Sequence, residues 1–174
     1  AEIRGKVQFD GKDVFALTQR EKNSLWGNVW GLVPQLPQEA LSPLRTIDGH
    51  LRDVRRGAGM KPLSQEEAAR LLRSFELAEP ERVLRAYSHE LSGGMLQRLI
   101  LAREFENDPN LIIACEPLQG LDGKAAERTQ DLLSDFARRG AVVIVLSSSE
   151  FPSSLCAAHY VLEGGGLREV REAA

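Results

Sequence analysis

Two short apolar runs separated by a helical pattern most constrain the fold of this chain. Residues 111–114 (LIIA) and 142–146 (VVIVL) are continuous and apolar, as in parallel strands covered on both faces. Between them, residues 123–139 follow a helical pattern, with Asp122 able to cap its start and Gly140 able to end it. A strand, a helix and a strand in this order predict a βαβ unit, and therefore an α/β fold.

The rest of the chain fits around this unit. The length of 174 residues is typical of one domain, so we expect residues 1–174 to form a single unit. A strand is predicted over residues 29–35, where prolines stop it, and a closing hairpin over residues 160–170. Helical patterns dominate between these strands, and we interpret residues 36–107 as a helical subdomain within the domain.

Charge and composition exclude several classes of protein. With 22 basic and 25 acidic residues, the net charge of −3 argues against a general nucleic-acid binder. Two cysteines cannot form a disulfide framework, which favours a reducing compartment. No stretch is long and apolar enough to span a membrane, and the first residues lack a signal-peptide pattern. We therefore expect a soluble chain that reaches a membrane only through a partner.

A Ser-Gly-Gly turn opens one of the predicted helices. Residues 91–98 read LSGGMLQR, and Ser92 is a good N-cap for a helix that continues to about residue 106. Gly93 and Gly94 let a backbone approach a phosphate closely, and free N–H groups at a helix N-terminus attract anions. Alone, such a turn is more often an ordinary helix cap, so the neighbouring motifs determine whether it indicates phosphate binding.

An acidic residue follows the first apolar run. Glu116 is predicted to lie at the carboxyl end of a parallel strand, where ligands bind in open α/β sheets. There it could polarise a water molecule for attack on a phosphate. Cys115 stands where an Asp would be the natural Mg²⁺ ligand, and a protonated thiol is a poor ligand for a hard cation. We therefore expect Cys115 to be a small buried hydrophobic residue at a degenerate metal position.

Polar residues also follow the other two predicted strands. Gln35 leaves its strand into a loop, where its amide could meet a metal-bound water molecule. Ser148 lies in a serine triplet after residues 142–146, where a His could sense a γ-phosphate and a Ser offers only a hydroxyl. Taken singly, the first is explained as a turn residue and the second as a strand end.

Taken in order, these motifs resemble the ATPase subunit of ATP-binding cassette (ABC) transporters. Four motifs match in the order of that family: the Q-loop (Gln35), the signature motif (residues 91–95), Walker B with its catalytic Glu (residues 111–116) and the D-loop (residues 119–122). Ser148 falls at the position of the switch His. Residues 87–90 (YSHE) and 9–13 (FDGKD) are similar to the dipeptide, oligopeptide and nickel importer branch.

The resemblance implies a fold, a ligand and roles for the site residues. The fold would be a partial P-loop NTPase (RecA-like) parallel sheet with an inserted ABC helical subdomain, and ATP and Mg²⁺ would be the cofactors. The implied catalytic residues are Glu116, Gln35 and Ser148, with Gln35 and the degenerate Cys115 at the metal. The implied nucleotide-binding residues are Ser92, Gly93, Gly94 and Asp122. The first three would contact ATP held by an opposite subunit, and Asp122 would act across the dimer.

Departures from the family pattern are equally specific. Residues 1–174 contain no GxxxxGK[ST] sequence, which the family carries upstream of the stretch matched here. Cys115 replaces the Walker B Asp, and Ser148 replaces the switch His. We therefore expect the chain to retain the surface that carries the signature motif and to have a weak nucleotide-binding site of its own. We also expect residues 111–114 to present an open, apolar edge where the P-loop strand would lie.

The function implied by the resemblance is that of a transporter's nucleotide-binding domain, of the peptide or nickel importer type. Its partners would be a second ABC ATPase subunit and transmembrane permease subunits, and no nucleic acid is expected. It would lie in the cytoplasm, on the inner face of the cell membrane. Two alternatives stay open: a pseudo-ATPase that supplies only its signature motif in trans, and an ABC ATPase without a role in transport.

Overall fold

The computed structural model describes residues 5–57, 59–149 and 151–170. In chain order, its strands and longer helices are β1 (Gln8–Phe9), β2 (Lys12–Asp13), α1 (Gln19–Leu25), β3 (Trp30–Val33), α2 (Ile47–Gly57), α3 (Gln65–Ser74), α4 (Pro80–Arg85), α5 (Gly93–Asn107), β4 (Leu111–Cys115), α6 (Gly123–Arg138), β5 (Val142–Leu146), β6 (His159–Glu163) and β7 (Gly166–Val170). None of the described helices is long and apolar enough to cross a membrane.

The central sheet is parallel and has the strand order β3-β4-β5. One row of its register joins Leu32, Ile113 and Ile144. The βαβ prediction is confirmed, because β4 and β5 are parallel neighbours joined through α6. The expectation of an open edge at residues 111–114 is wrong: β5 pairs along the whole of β4, so the edge strands of the described sheet are β3 and β5.

The two faces of this sheet differ in how well they are covered. On one face, Val33, Ile112 and Ala114 are fully buried in the core that α5 and α6 help to form. On the other face, Ile144 and Leu146 are 43% and 52% exposed. The sequence predicts that both faces of these strands are covered. Within the part of the chain that the structure describes, this prediction is wrong for β5, whose second face is partly exposed.

Helices α2, α3 and α6 pack against α5. Ser64 and Glu67 form the predicted capping box at the start of α3, with each side chain bonded to the backbone of the other residue. The ring of Phe105 in α5 meets the rings of Phe75 and Phe136 edge to face, with centroids 5.4 and 5.5 Å apart. This aromatic cluster joins the end of α3 to α5 and α6, and so fixes the helix whose first turn holds the glycines.

Two hairpins flank the central elements. Asp10 and Gly11, with φ values of 51° and 75°, form the two-residue turn between β1 and β2, as the Asp-Gly pair predicts. The predicted closing hairpin is confirmed as β6 and β7, which pair antiparallel around a glycine turn. The sequence also predicts a short strand near the amino terminus that includes Ile3, and this residue lies outside the described residues.

Candidate functional site

The carboxyl ends of the three parallel strands bring predicted site residues to one edge of the sheet. Gln35 follows β3, Glu116 follows β4 and Ser148 follows β5. The backbone N–H of Glu116 donates to the carbonyl of Leu146 at 2.8 Å, which continues the pairing of β4 with β5. Immediately after this bond the chain turns away, because Glu116 has a left-handed φ of 47°.

Serine donors hold the carboxylate of Glu116. The backbone N–H of Ser148 donates to its Oε1 at 2.7 Å, and the hydroxyl of Ser147 donates to its Oε2 at 3.2 Å. Hydrogen bonds from the side chain and backbone of Ser148, and from Ser147, hold the pKa of Glu116 below its ordinary value of 4.5. Glu116 is therefore ionised at neutral pH, and its carboxylate can orient a water molecule.

Two residues at this edge make contacts that the sequence-based prediction did not include. Ser147 contacts Glu116 through its side chain, and the only signal for it was its place in the serine triplet. The Nε2 of Gln35 donates to the Oε1 of Gln119 at 3.0 Å, which joins the loop after β3 to the loop after β4. Gln119 lies within the stretch assigned to the D-loop, but a single exposed amide gave no reason to pair it with Gln35.

The Ser-Gly-Gly turn lies at the start of α5, as predicted. Ser92 caps the helix, since its Oγ accepts the backbone N–H of Met95 at 3.3 Å. A Cβ atom built on Gly93 or Gly94 would meet no atom within 4 Å. The first turn of this 15-residue helix thus has open space in front of its backbone, and it fits the approach of an anionic group such as a terminal phosphate.

Buried and capping contacts tie α5 and α6 to the loop between Glu116 and α6. The Nε2 of Gln97 in α5 donates to the carbonyl of Pro117 at 3.0 Å, and both residues are buried. Asp122 caps α6, as the sequence predicts, because its Oδ1 accepts the backbone N–H of Ala125 at 2.9 Å. A role for Asp122 in communication across a dimer remains a prediction.

The residues at the predicted metal position do not fit Mg²⁺. Cys115 is partly exposed rather than buried as expected, because it ends β4 on the less covered face, beside Leu146. A thiol is a poor ligand for this ion, so Cys115 cannot take the place of the oxygen ligand that Mg²⁺ prefers. No cluster of three or more His, Cys, Asp or Glu side chains suited to a metal occurs within residues 5–57, 59–149 and 151–170.

Comparison with known proteins identifies a family and several relatives. A family profile described as "ABC transporter" matches residues 1–119. The probable D,D-dipeptide transport ATP-binding protein DdpD of Escherichia coli is 32% identical over 95% of this chain and 52% of its own length. The peptidoglycan transport ATP-binding protein YejF of Agrobacterium fabrum is 36% identical over 75% of this chain and 24% of its own length.

The oligopeptide transport ATP-binding protein OppD of Lactococcus lactis is 31% identical over 83% of this chain and 44% of its own length. This chain thus spans about a quarter to a half of the length of these curated relatives. Among solved structures, the post-hydrolysis dimer of the ATP-binding cassette MJ0796 with ADP and Pi superposes with a TM-score of 0.80 and 26% identity, over 98% of this chain and 75% of that one.

Proposed function

This chain belongs to the ABC transporter family, and we propose that it acts as a nucleotide-binding domain that couples ATP binding and hydrolysis at a dimer interface to transport. Its fold is the ABC ATPase fold, a P-loop NTPase-like parallel sheet with helices, as the resemblance implied. The observation that carries the proposal is the carboxylate of Glu116 at the carboxyl edge of this sheet, held by hydrogen bonds from Ser147 and Ser148.

Each part of the site has a role in this proposal. Glu116 orients the attacking water molecule and accepts its proton, and the two serine donors keep the carboxylate in place. The open first turn of α5 holds the terminal phosphate of a nucleotide bound to the opposite subunit, through Ser92 and the backbone of Gly93 and Gly94. ATP, when bound, supplies the phosphoryl group. Because the thiol of Cys115 does not fit Mg²⁺, none of these roles involves a metal ion.

The transported substrate is proposed to be a peptide or a related small solute. Support comes from relatives whose names refer to dipeptide, oligopeptide and peptidoglycan transport. The proposed partners are a second ABC ATPase subunit, as in the dimeric solved cassette, and transmembrane permease subunits. The proposed location is the cytoplasmic face of the cell membrane, reached through the permease.

The first test asks whether the turn at the start of α5 acts in trans. Ser92→Arg is introduced into this chain, which is then combined with an ABC subunit that carries its own complete nucleotide-binding loop. The added side chain fills the open space before Gly93, so ATP hydrolysis by the partner should fall at least about tenfold, a loss of about 1.4 kcal/mol in transition-state stabilisation.

Ser64→Arg is the matched control for this test. Ser64 is also an exposed N-cap whose hydroxyl accepts the backbone N–H three residues on, at 3.2 Å against 3.3 Å for Ser92. Both substitutions therefore remove the same kind of helix cap. Equal hydrolysis rates with the Ser92→Arg and Ser64→Arg chains would contradict the proposal.

A second candidate function is that of a non-catalytic partner which supplies only its signature face. The observation in its favour is Cys115, a partly exposed thiol next to Glu116 where a hard cation needs an oxygen ligand. When this chain is supplied with a complete nucleotide-binding loop, Cys115→Asp should raise the rate of ATP hydrolysis at its own site if weak metal binding limits that rate. An unchanged rate would favour the non-catalytic role.

A further inference from the structure

The second turn of α5 carries a buried polar side chain that the proposed mechanism does not use. Gln97 is 7% exposed, and its Nε2 donates to the carbonyl of Pro117 at 3.0 Å. The Pro117 side chain is fully buried. A buried amide is costly unless it is hydrogen-bonded, and the same bond satisfies a buried backbone carbonyl. This contact therefore joins the first part of α5 firmly to the loop that follows β4.

The corner at Glu116 depends on contacts from outside itself. Glu116 has a left-handed φ of 47°, which is unfavourable for a residue with a side chain. Its N–H donates to Leu146, and its carbonyl accepts the N–H of Gln119 at 3.1 Å. The next residue, Pro117, has no N–H to donate, so the carbonyl of Pro117 is the backbone group through which α5 reaches this corner.

We propose that Gln97 is a positioning residue, which sets the orientation of the Glu116 carboxylate from the same helix that presents the Ser-Gly-Gly turn. The functional consequence of this inference rests on the proposed function. If the first turn of α5 contacts a nucleotide on the opposite subunit, Gln97 passes any movement of that turn to this chain's own carboxylate. With a rise of about 1.5 Å per residue, Gln97 lies only about one helical turn beyond Gly93.

The test measures the contact between Glu116 and Ser148 in the isolated chain by NMR. A carboxylate acceptor moves an amide proton downfield, so the amide shift of Ser148 reports on its 2.7 Å bond to Glu116. Gln97→Met keeps the side chain's length and removes the donor. It should move the Ser148 amide upfield by at least about half of the change that Glu116→Gln produces.

Gln19→Met is the matched control. The Nε2 of Gln19 donates to Asn23 at 2.8 Å on the exposed surface of α1, so its loss should leave Ser148 unchanged. The amide shift of Val143, within β5, should stay the same in all variants and exclude a general loosening of the sheet. Unchanged Ser148 shifts in Gln97→Met overturn the inference, and so do unchanged shifts in Glu116→Gln, because the contact at the corner would then be absent.

A second measurement covers the case in which Gln97→Met does not fold. In the unmodified protein, the carboxamide protons of Gln97 should exchange with solvent more slowly than those of Gln19, because Gln97 is buried and bonded to Pro117. Equal exchange rates would overturn the inference. Both measurements are independent of nucleotide, so they separate a failure of this inference from a failure of the Ser92→Arg test.

Discussion

Gly31 in β3 faces a buried carboxylate, and this contact predicts a large effect from one added methyl group. A Cβ atom built on Gly31 would lie 2.7 Å from the Oε2 of Glu104 and 3.1 Å from the Cγ of Pro109. Glu104 is 3% exposed and its other oxygen accepts two bonds from Arg103, at 2.7 and 3.0 Å. Because Glu104 is enclosed in this way, it cannot swing aside freely.

The expected size of the effect follows from two opposing terms. Replacing Gly by Ala within a strand normally stabilises a protein by about 0.5–1 kcal/mol, because the unfolded chain loses freedom. Forcing an extra methyl group into a filled site costs about 1–3 kcal/mol. At a contact of 2.7 Å the second term dominates, so Gly31→Ala should lower the free energy of unfolding by about 1–2 kcal/mol.

Urea denaturation of four further variants isolates the cause. Glu104→Gln keeps the shape of the side chain, so adding Gly31→Ala to it should cost as much as in the unmodified protein. Glu104→Ala removes the atom that clashes, so adding Gly31→Ala to it should cost less than about 1 kcal/mol, with Pro109 as the remaining contact. A stabilising Gly31→Ala, or an equal cost in both backgrounds, would refute the reasoning.

Three further predictions concern stability, measured by urea denaturation. Burial raises the pKa of Glu104 above its ordinary value of 4.5, despite the nearby Arg103. The contribution of Glu104 to the free energy of unfolding is therefore complete below pH 4.5 and is lost as the pH rises through the raised pKa. Glu104→Gln should flatten this pH dependence. Asp122→Ala removes the cap of α6 and should cost about 0.5–2 kcal/mol, whereas Asp131→Ala within that helix should cost nothing; equal effects would contradict the capping role. Ile112→Ala should cost about 2–5 kcal/mol and Ile144→Ala less than about 1.5 kcal/mol, since the first residue is fully buried and the second is 43% exposed; a reversed order would contradict the assigned faces.

Much of the fold could be predicted because its signals are local. Apolar runs and a helical period between them predict β4, α6 and β5, and the caps at Ser64, Ser92 and Asp122 are visible as residue types at fixed offsets. The neighbours of β4 could not be predicted in this way. Strand order depends on long-range pairing, and the resemblance suggested an open edge where β5 in fact pairs.

For the candidate site, the sequence predicts which residues follow the strands, but not which contacts they make. That Gln35, Glu116 and Ser148 share one edge follows from parallel pairing. The donors around them could not be predicted, because nothing in a serine triplet tells which hydroxyl turns toward Glu116. Gln97 was equally hidden, since a polar residue within a helix gives no sign that it is buried against a carbonyl twenty residues away.

Under the proposed function, the left-handed backbone at Glu116 sets activity against stability at this position. Glycine adopts this conformation freely, whereas a residue with a side chain loses about 1–2 kcal/mol there. Glu116→Gly should therefore give a more stable fold that lacks the carboxylate of the proposed function, while Glu116→Gln keeps the backbone penalty. The same backbone conformation occurs at Glu76, Glu79 and Asp108, so what distinguishes Glu116 is the carboxylate that the proposed function needs at this corner.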